Sequence, residues 1–163
     1  MSDIHTSDYL VIGSGVSGLL FSLKASLNGK VNLVTKGDIA DSATNRAQGG
    51  IAAVMSSDDS YESHIEDTMR VGAGLCHKDI VENIVKSGPE RIRELIDMGV
   101  EFCQNDQCTE FDLGLEGGHS NRRVLHVKDH TGRDIENALV RKIRKAKGVE
   151  IFENHIAVNL YVK

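Results

Sequence analysis

The sequence predicts an α/β fold built on a parallel sheet, on three observations. The stretch Asp8-Tyr9-Leu10-Val11-Ile12-Gly13 is a short apolar run closed by glycine, the pattern of a buried strand. A helical pattern follows it directly, with Leu19, Leu20, Leu23 and Leu27 on one face and Asn28-Gly29 as a stop signal. A second apolar run, Lys30 to Thr35, comes next. Strand, helix and strand within about 30 residues make a βαβ unit, which requires parallel strands and a crossover.

Composition bounds what such a fold can do. The chain has 163 residues, of which 40% are apolar and 26% charged, the balance of one globular domain. With four Phe, three Tyr and no Trp, its core must be aliphatic. A net charge of -5 argues against general nucleic-acid binding, and the basic run Arg141 to Lys147 reads as a solvated helix face. No apolar run is long enough to span a bilayer, so no membrane partner is expected. The first residues lack a basic segment followed by an apolar one, and a cytoplasmic location is expected. Three cysteines, an odd number, fit reduced thiols, buried or half-buried. Cys103 and Cys108 flank a turn but match no zinc spacing, so no metal is expected.

The remaining elements follow in order. Residues 37–50 are small and polar, and Gly49-Gly50 opens an apolar run from Ile51 to Val54. Three helices are predicted over 61–99: Tyr61 to Val71, Lys78 to Lys86, and a third starting near Ser87. There Ser87 and Glu90 have capping-box spacing and Pro89 falls in the first turn. Residues 100–113 read as a hairpin around Asn105-Asp106, and residues 124–127 as a strand. A helix follows, with Thr131 as N-cap, Gly148 as stop, and Ile135, Ala138, Leu139, Ile143 and Ala146 on one face. Two strands, 149–154 and 157–163, complete the reading.

The first βα turn carries the chemistry. Gly13-Ser14-Gly15-Val16-Ser17-Gly18 is GxGxxG, a weak signal alone but a stronger one between a strand and a helix. The first glycine permits the tight turn, the second lets a pyrophosphate approach the backbone, and the third lets helix pack on strand. The helix N-terminus then presents free N–H groups to the phosphates. This makes the fold a Rossmann-like dinucleotide-binding one. The acid that usually holds a ribose at the end of the second strand is missing. Val34-Thr35-Lys36 stands there, with Lys36 facing a phosphate or solvent.

Four motifs in order, Val11 to Leu23, Thr35-Lys36-Gly37, Arg46 to Val54 and Glu116 to Gly132, resemble the flavoprotein family of L-aspartate oxidase, succinate dehydrogenase and fumarate reductase. The resemblance runs from about Tyr9 to the chain end and is strongest to the L-aspartate oxidase branch. It implies FAD as cofactor, with Gly13, Ser14, Gly15, Val16, Ser17 and Gly18 around the pyrophosphate, and it makes Lys36 the residue the family often carries there. Ser42, Ala43, Thr44, Asn45, Arg46, Ala47, Gln48, Gly49 and Gly50 would run past the ribityl chain and the flavin ring. Gly49 and Gly50 would offer a flat ring a backbone without side chains. Ile156 and Ala157 would touch the adenine half. Succinate dehydrogenases carry a flavin-bonding histidine five residues before the glutamine of Gln48, and here that position is Ala43, so FAD would be non-covalent.

The resemblance also places Glu116-Gly117-Gly118-His119-Ser120 near the substrate. A dicarboxylate needs cationic and N–H donors, and the ammonium of aspartate needs an acid. Glu116 would take the ammonium, while His119, Ser120 and nearby arginines face carboxylate or flavin. Residue-level alternatives stand beside this. Glu116 could pair with Arg122 or Arg123, and His119 could only brace its own turn. Arg122 and Arg123, being adjacent, should point to opposite sides, with one at most in the site. His126 and His130 are read as structural.

The implied reaction is oxidation at Cα of L-aspartate to iminoaspartate, with oxygen or fumarate reoxidising the flavin. Quinolinate synthase would be the functional partner, on the way to NAD. No catalytic residue maps onto this chain. The end at Lys163 falls inside a strand, so the chain is expected to be the N-terminal segment of a longer FAD-binding domain, without capping or C-terminal domains and inactive alone. The alternatives are a soluble fumarate reductase or succinate dehydrogenase flavoprotein, a truncated FAD-binding remnant, and an NAD-dependent dehydrogenase, which Arg46-Ala47-Gln48-Gly49-Gly50 disfavours.

Overall fold

The computed structural model describes residues 3–128 and 130–162. The elements are β1 (Tyr9–Ile12), α1 (Val16–Ala25), β2 (Val31–Val34), β3 (Ile51–Ala52), α2 (Tyr61–Val71), α3 (Lys78–Asp97), β4 (Leu113–Gly114), β5 (Val124–Leu125), α4 (Thr131–Ile143) and β6 (Val149–Phe152). They fall into two compact units, Met1–Ala47 with Gly132–Lys163, and Gln48–Thr131.

The first unit is the expected parallel sheet, in the order β1-β2-β6. Tyr9 aligns with Val31 and Val31 with Val149, so β2 is central. A central parallel strand is apolar on both faces, and Val31 and Leu33 are fully buried. Each contributes about 1.5–3 kcal/mol by burial. From α1, Leu19 and Ala25 are buried, but Leu27 lies beyond the C-cap Ser26 and is exposed, so the predicted stripe is one residue too long. From α4, Ile135, Ala138, Leu139 and Ile143 are buried. Ala146 belongs to the turn after the helix. Thr131 is not the cap of this helix: it is its first helical residue, and its hydroxyl accepts from the Val127 N–H at 3.0 Å. The expected last strand, 157–163, does not form among the described residues, where 155–162 have no regular structure; Lys163 lies outside them. An isolated strand cannot satisfy its own backbone groups, and Val158, Tyr161 and Val162 stand exposed.

In the second unit, β3-β5-β4 is a small antiparallel sheet, and α2 packs on α3. Ser60 caps α2, accepting from the Ser63 N–H at 3.1 Å. Residues 78–97 form one helix where the sequence predicted two. Pro89 sits inside it, and the Ser87 hydroxyl donates to the Asn83 carbonyl, not to a capping box. An interior proline costs about 3 kcal/mol. The apolar stripe of Val81, Val85, Pro89, Ile92 and Leu95 runs through it unbroken and is buried, and burial at about 1.5–3 kcal/mol per side chain outweighs one lost bond. The hairpin after α3 reduces to a bridge between Gln104 and Phe111, with Cys108 at φ 53 in its turn. Cys103 is half-buried, but Cys108, expected buried or half-buried, is exposed.

Candidate functional site

In the first unit, the glycine loop joins β1 to α1. Gly13 has φ +106, a conformation L side chains rarely adopt, and it donates to the Val34 carbonyl at 2.8 Å. A Cβ on Gly18 would lie 2.0 Å from the Gly13 carbonyl oxygen, so helix and loop touch as the motif requires. Gly15, the N-cap of α1, makes no side-chain cap, and the Val16 N–H donates instead to Thr44 Oγ1 at 3.1 Å. The amides of Ser17 and Gly18 have no partner among the described residues. A helix start with two open amides, bordered by one small hydroxyl side chain, is an anion cradle.

Two further stretches border this cradle. Ser14 Oγ lies 3.0 Å from Thr35 Oγ1, both buried, so the loop is tied to the end of β2. Lys36 follows, exposed. The His155 N–H donates to the Thr35 carbonyl at 2.9 Å, which brings the exposed Ile156 and Ala157 to the same strand end. Residues 42–47 form the second stretch. Thr44 touches the cradle directly: a Cβ on Gly15 would lie 3.3 Å from its hydroxyl. Asn45 donates to Ser42 Oγ, and Arg46 pairs with Asp41 in solvent. Ala43 is exposed and offers no nucleophile for a covalent flavin.

Helix α4 holds that second stretch, which sequence reading did not foresee. Gly132 donates to the Ala47 carbonyl at 3.1 Å, and any Cβ there would lie 1.9 Å from the Thr44 carbonyl oxygen. Glu136, fully buried, shares a hydrogen bond with the Ser42 hydroxyl. Its signal in the sequence was a lone acid between the apolar positions Ile135 and Ala138.

In the second unit, Gln48 and Gly49 are exposed. Gly50 is required by packing: a Cβ would meet the Leu125 carbonyl oxygen at 2.2 Å, so its lack of a side chain serves β5 whatever else approaches. The Glu116–Ser120 stretch is a tight turn, with His119 N–H donating to the Glu116 carbonyl at 3.1 Å and Gly118 at φ +89. Glu116 is exposed, and its carboxylate has no ion-pair partner among the described residues. Neither arginine reaches it. Arg122 donates to the Leu113 carbonyl, and Arg123 is fully buried. The His119 ring packs edge-on against His64, with centroids 5.9 Å apart, and Nδ1 of each is buried without a partner among the described residues.

What holds this turn is a buried charge cluster. Arg123 donates from Nε and Nη2 to Asp59 and from Nη1 to Asp67, each at 2.9 Å. Asp67 accepts from the Ser120 amide and hydroxyl, each at 2.7 Å. Arg70 ties Asp67 to the Gly118 carbonyl. Burial by itself would raise the Asp67 carboxyl; the Ser120 bonds and the Arg123 charge more than offset it and hold the group far below the usual carboxylate range. Asp59 is lowered in the same way, burial being outweighed by Arg123, Asn121 and the Ser60 amide. Burial lowers His64, helped by Arg123 and His119 and opposed by Asp59 and Asp67, which favours the neutral ring. Ser120, expected to face substrate, donates its hydroxyl to Asp67. The residues missed are Asp59 and Asp67; Arg123 was named, but as a partner for Glu116 or for substrate. The faint signal was Asp67 three residues after His64, on one face of α2.

A strand–glycine turn–helix cradle on a parallel sheet defines a dinucleotide-binding protein of the Rossmann-like class. The chain belongs to the family of FAD binding domains, which matches residues 8–163. It is 46% identical over 153 residues to L-aspartate oxidase 2-b, chloroplastic, of Nicotiana tabacum, covering 94% of this chain and 24% of that enzyme. It is 39% identical over 166 residues to L-aspartate oxidase of Pseudomonas aeruginosa, covering 98% of this chain and 31% of that one. Among solved structures, a quinol-fumarate reductase with menaquinol molecules superposes with TM-score 0.89 at 27% identity, over 96% of this chain and 28% of that one. The Mycobacterium smegmatis Sdh1 complex in the apo form matches with TM-score 0.84 at 29% identity, over 92% of this chain and 28% of that one. The chain thus spans about a quarter to a third of the length of these relatives. FAD is the family's cofactor, and the open amides, the Gly13–Gly18 close approach and the Thr44 border fit its pyrophosphate. Among the described residues, no helix is long and apolar enough to cross a membrane.

Proposed function

We propose that this chain is the cofactor-binding part of an FAD-dependent oxidase that converts L-aspartate to iminoaspartate, the first step of NAD biosynthesis through quinolinate. The observation that carries this reading is Glu116, an exposed carboxylate with no ion-pair partner among the described residues, on a turn whose backbone is locked from below. The names of the relatives support it.

In this reading Glu116 accepts from the substrate ammonium, and His119 faces a substrate carboxylate or the flavin. Ser120 acts through the backbone: with its proton committed to Asp67, it sets the height of the turn. Bound FAD supplies the electron acceptor for the oxidation. Gly13 to Gly18 hold its pyrophosphate, Ser42 to Gly50 and Lys36 border the rest, and Ile156 and Ala157 meet the adenine. Oxygen or fumarate is the final acceptor, quinolinate synthase takes the product, and the protein works in the cytoplasm. The catalytic base and the arginines that bind carboxylate are assigned to the part of the relatives' length outside this chain.

A second reading is a fumarate reductase or succinate dehydrogenase flavoprotein, which the superposition on quinol-fumarate reductase favours. Ala43 in place of a flavin-bonding histidine and the charged Glu116 favour the oxidase. The test is steady-state kinetics of Glu116→Gln in the full chain. Loss of L-aspartate turnover with succinate binding retained supports the oxidase, whereas equal effects on both ligands sink it.

A further inference from the structure

We propose that Glu136 is a positioning residue for the cofactor: from α4 its buried carboxyl clasps Ser42 and so sets where Thr44 meets the dinucleotide cradle. This rests on the FAD reading above.

The chain of contacts is continuous within one unit. Glu136 Oε2 shares its hydrogen bond with Ser42 Oγ, and Ser42 Oγ accepts from Asn45 N–H at 3.3 Å. Thr44 lies between those two residues and takes the first amide of α1, Val16 N–H, at 3.1 Å. Gly132 anchors the other end of the same loop through Ala47. The loop is therefore pinned at both ends by one helix, and its middle residue occupies one of the amides at the start of α1. A shift at Ser42 moves Thr44 and changes how much of the helix terminus is open to a phosphate.

Glu136 is an unusual choice for such a pin. It is fully buried, and its Oε1 has no partner among the described residues. A buried unpaired oxygen is costly, and a leucine would fill the same stripe without that cost. A polar group kept under that penalty serves placement of the loop rather than packing. Burial pushes its carboxyl up from the ordinary value, and Asp41 adds to this, while Ser42 and the Asn45 amide oppose it. Asp41 faces it from the loop and is itself paired with Arg46. Ser42 and the Asn45 amide both favour the charged form, so the clasp is tighter with the carboxyl ionised and loosens as the group takes up a proton.

The test is FAD titration of the full chain, read by quenching of flavin fluorescence, for wild type, E136Q, E136A and S42A between about pH 5 and pH 8. E136A is expected to weaken FAD binding about tenfold, the loss of one buried bond. E136Q, of the same shape, restores binding to within about threefold and removes the wild-type weakening as pH falls. S42A weakens binding in the same direction, and the double variant E136A/S42A costs less than the sum of the two. E136A binding FAD like wild type, or E136Q retaining the wild-type pH profile, overturns the proposal while leaving the FAD reading intact. A folded wild-type chain that binds no FAD overturns both. Should E136A fail to fold, E136Q and S42A decide.

Discussion

Arg123 Nη1 donates to Asp67 Oδ2 at 2.9 Å, and both side chains are almost wholly out of water. The pair lies beneath the turn that presents Glu116 and His119, so the candidate substrate residues inherit their positions from a charge cluster that touches no substrate. Two carboxylates share one guanidinium, and hydroxyl and amide donors fill the remaining lone pairs, which is the condition under which buried ions are tolerated.

Removing the guanidinium should be severe. Arg123→Met leaves Asp59 and Asp67 buried without their counter-charge, and a loss of about 3–5 kcal/mol is expected. Urea denaturation followed by far-UV circular dichroism measures it. A loss of under about 1 kcal/mol, the level of a surface pair, shows that the cluster is hydrated.

Asp67→Asn separates placement of the turn from cofactor binding. If the aspartate reading holds, the variant in the full-length protein should keep its yellow flavin absorbance while the KM for L-aspartate rises about tenfold, the cost of one charge-assisted bond to Ser120. An unchanged KM means that the turn holds its position without Asp67.

The lowered His64 makes stability depend on pH. Its folded value lies below the ordinary histidine value of 6.5, so the unfolded chain binds more protons in that range. Stability is complete above about 6.5 and falls as pH drops from there toward the folded value. Asp59 and Asp67 act lower, losing their contribution only as pH falls below 3.8 through their depressed values. Thermal melts of wild type and His64→Gln from about pH 7 to 5 test this: the variant's Tm should be flatter. Parallel curves assign the dependence to other groups.

Gly18→Ala places a methyl 2.0 Å from the Gly13 carbonyl oxygen. The helix must move away from the loop, at a cost of about 1–3 kcal/mol, and FAD affinity should fall with it. Flavin fluorescence titration at a temperature where the variant remains folded checks the second effect. Wild-type affinity would show that the cradle tolerates the shift.

The sheet and the cradle were legible because both are local. Gly13 to Gly18 carry their turn geometry in the residue types themselves, and the apolar runs Tyr9 to Ile12 and Val31 to Val34 need no distant partner to be read as strands. Pro89 misled because its cost is local while the burial that outweighs it is spread over α3. The last predicted strand, residues 157–163, failed for the opposite reason: a strand is completed by its neighbour, and among the described residues none pairs with it.

The sequence by itself determined the parallel βαβ unit, the phosphate-facing helix start, the absence of a nucleophile at Ala43 and the acid at Glu116, since each is a property of one residue or of a short spacing. Only the tertiary structure decided that Arg123 belongs to Asp59 and Asp67 rather than to Glu116, that Ser120 spends its proton on Asp67, and that Glu136 and Gly132 hold the Ser42–Ala47 loop. These pairings join residues from about 50 to 95 positions apart, and which buried charge finds which partner is settled by the desolvation each would suffer if left alone.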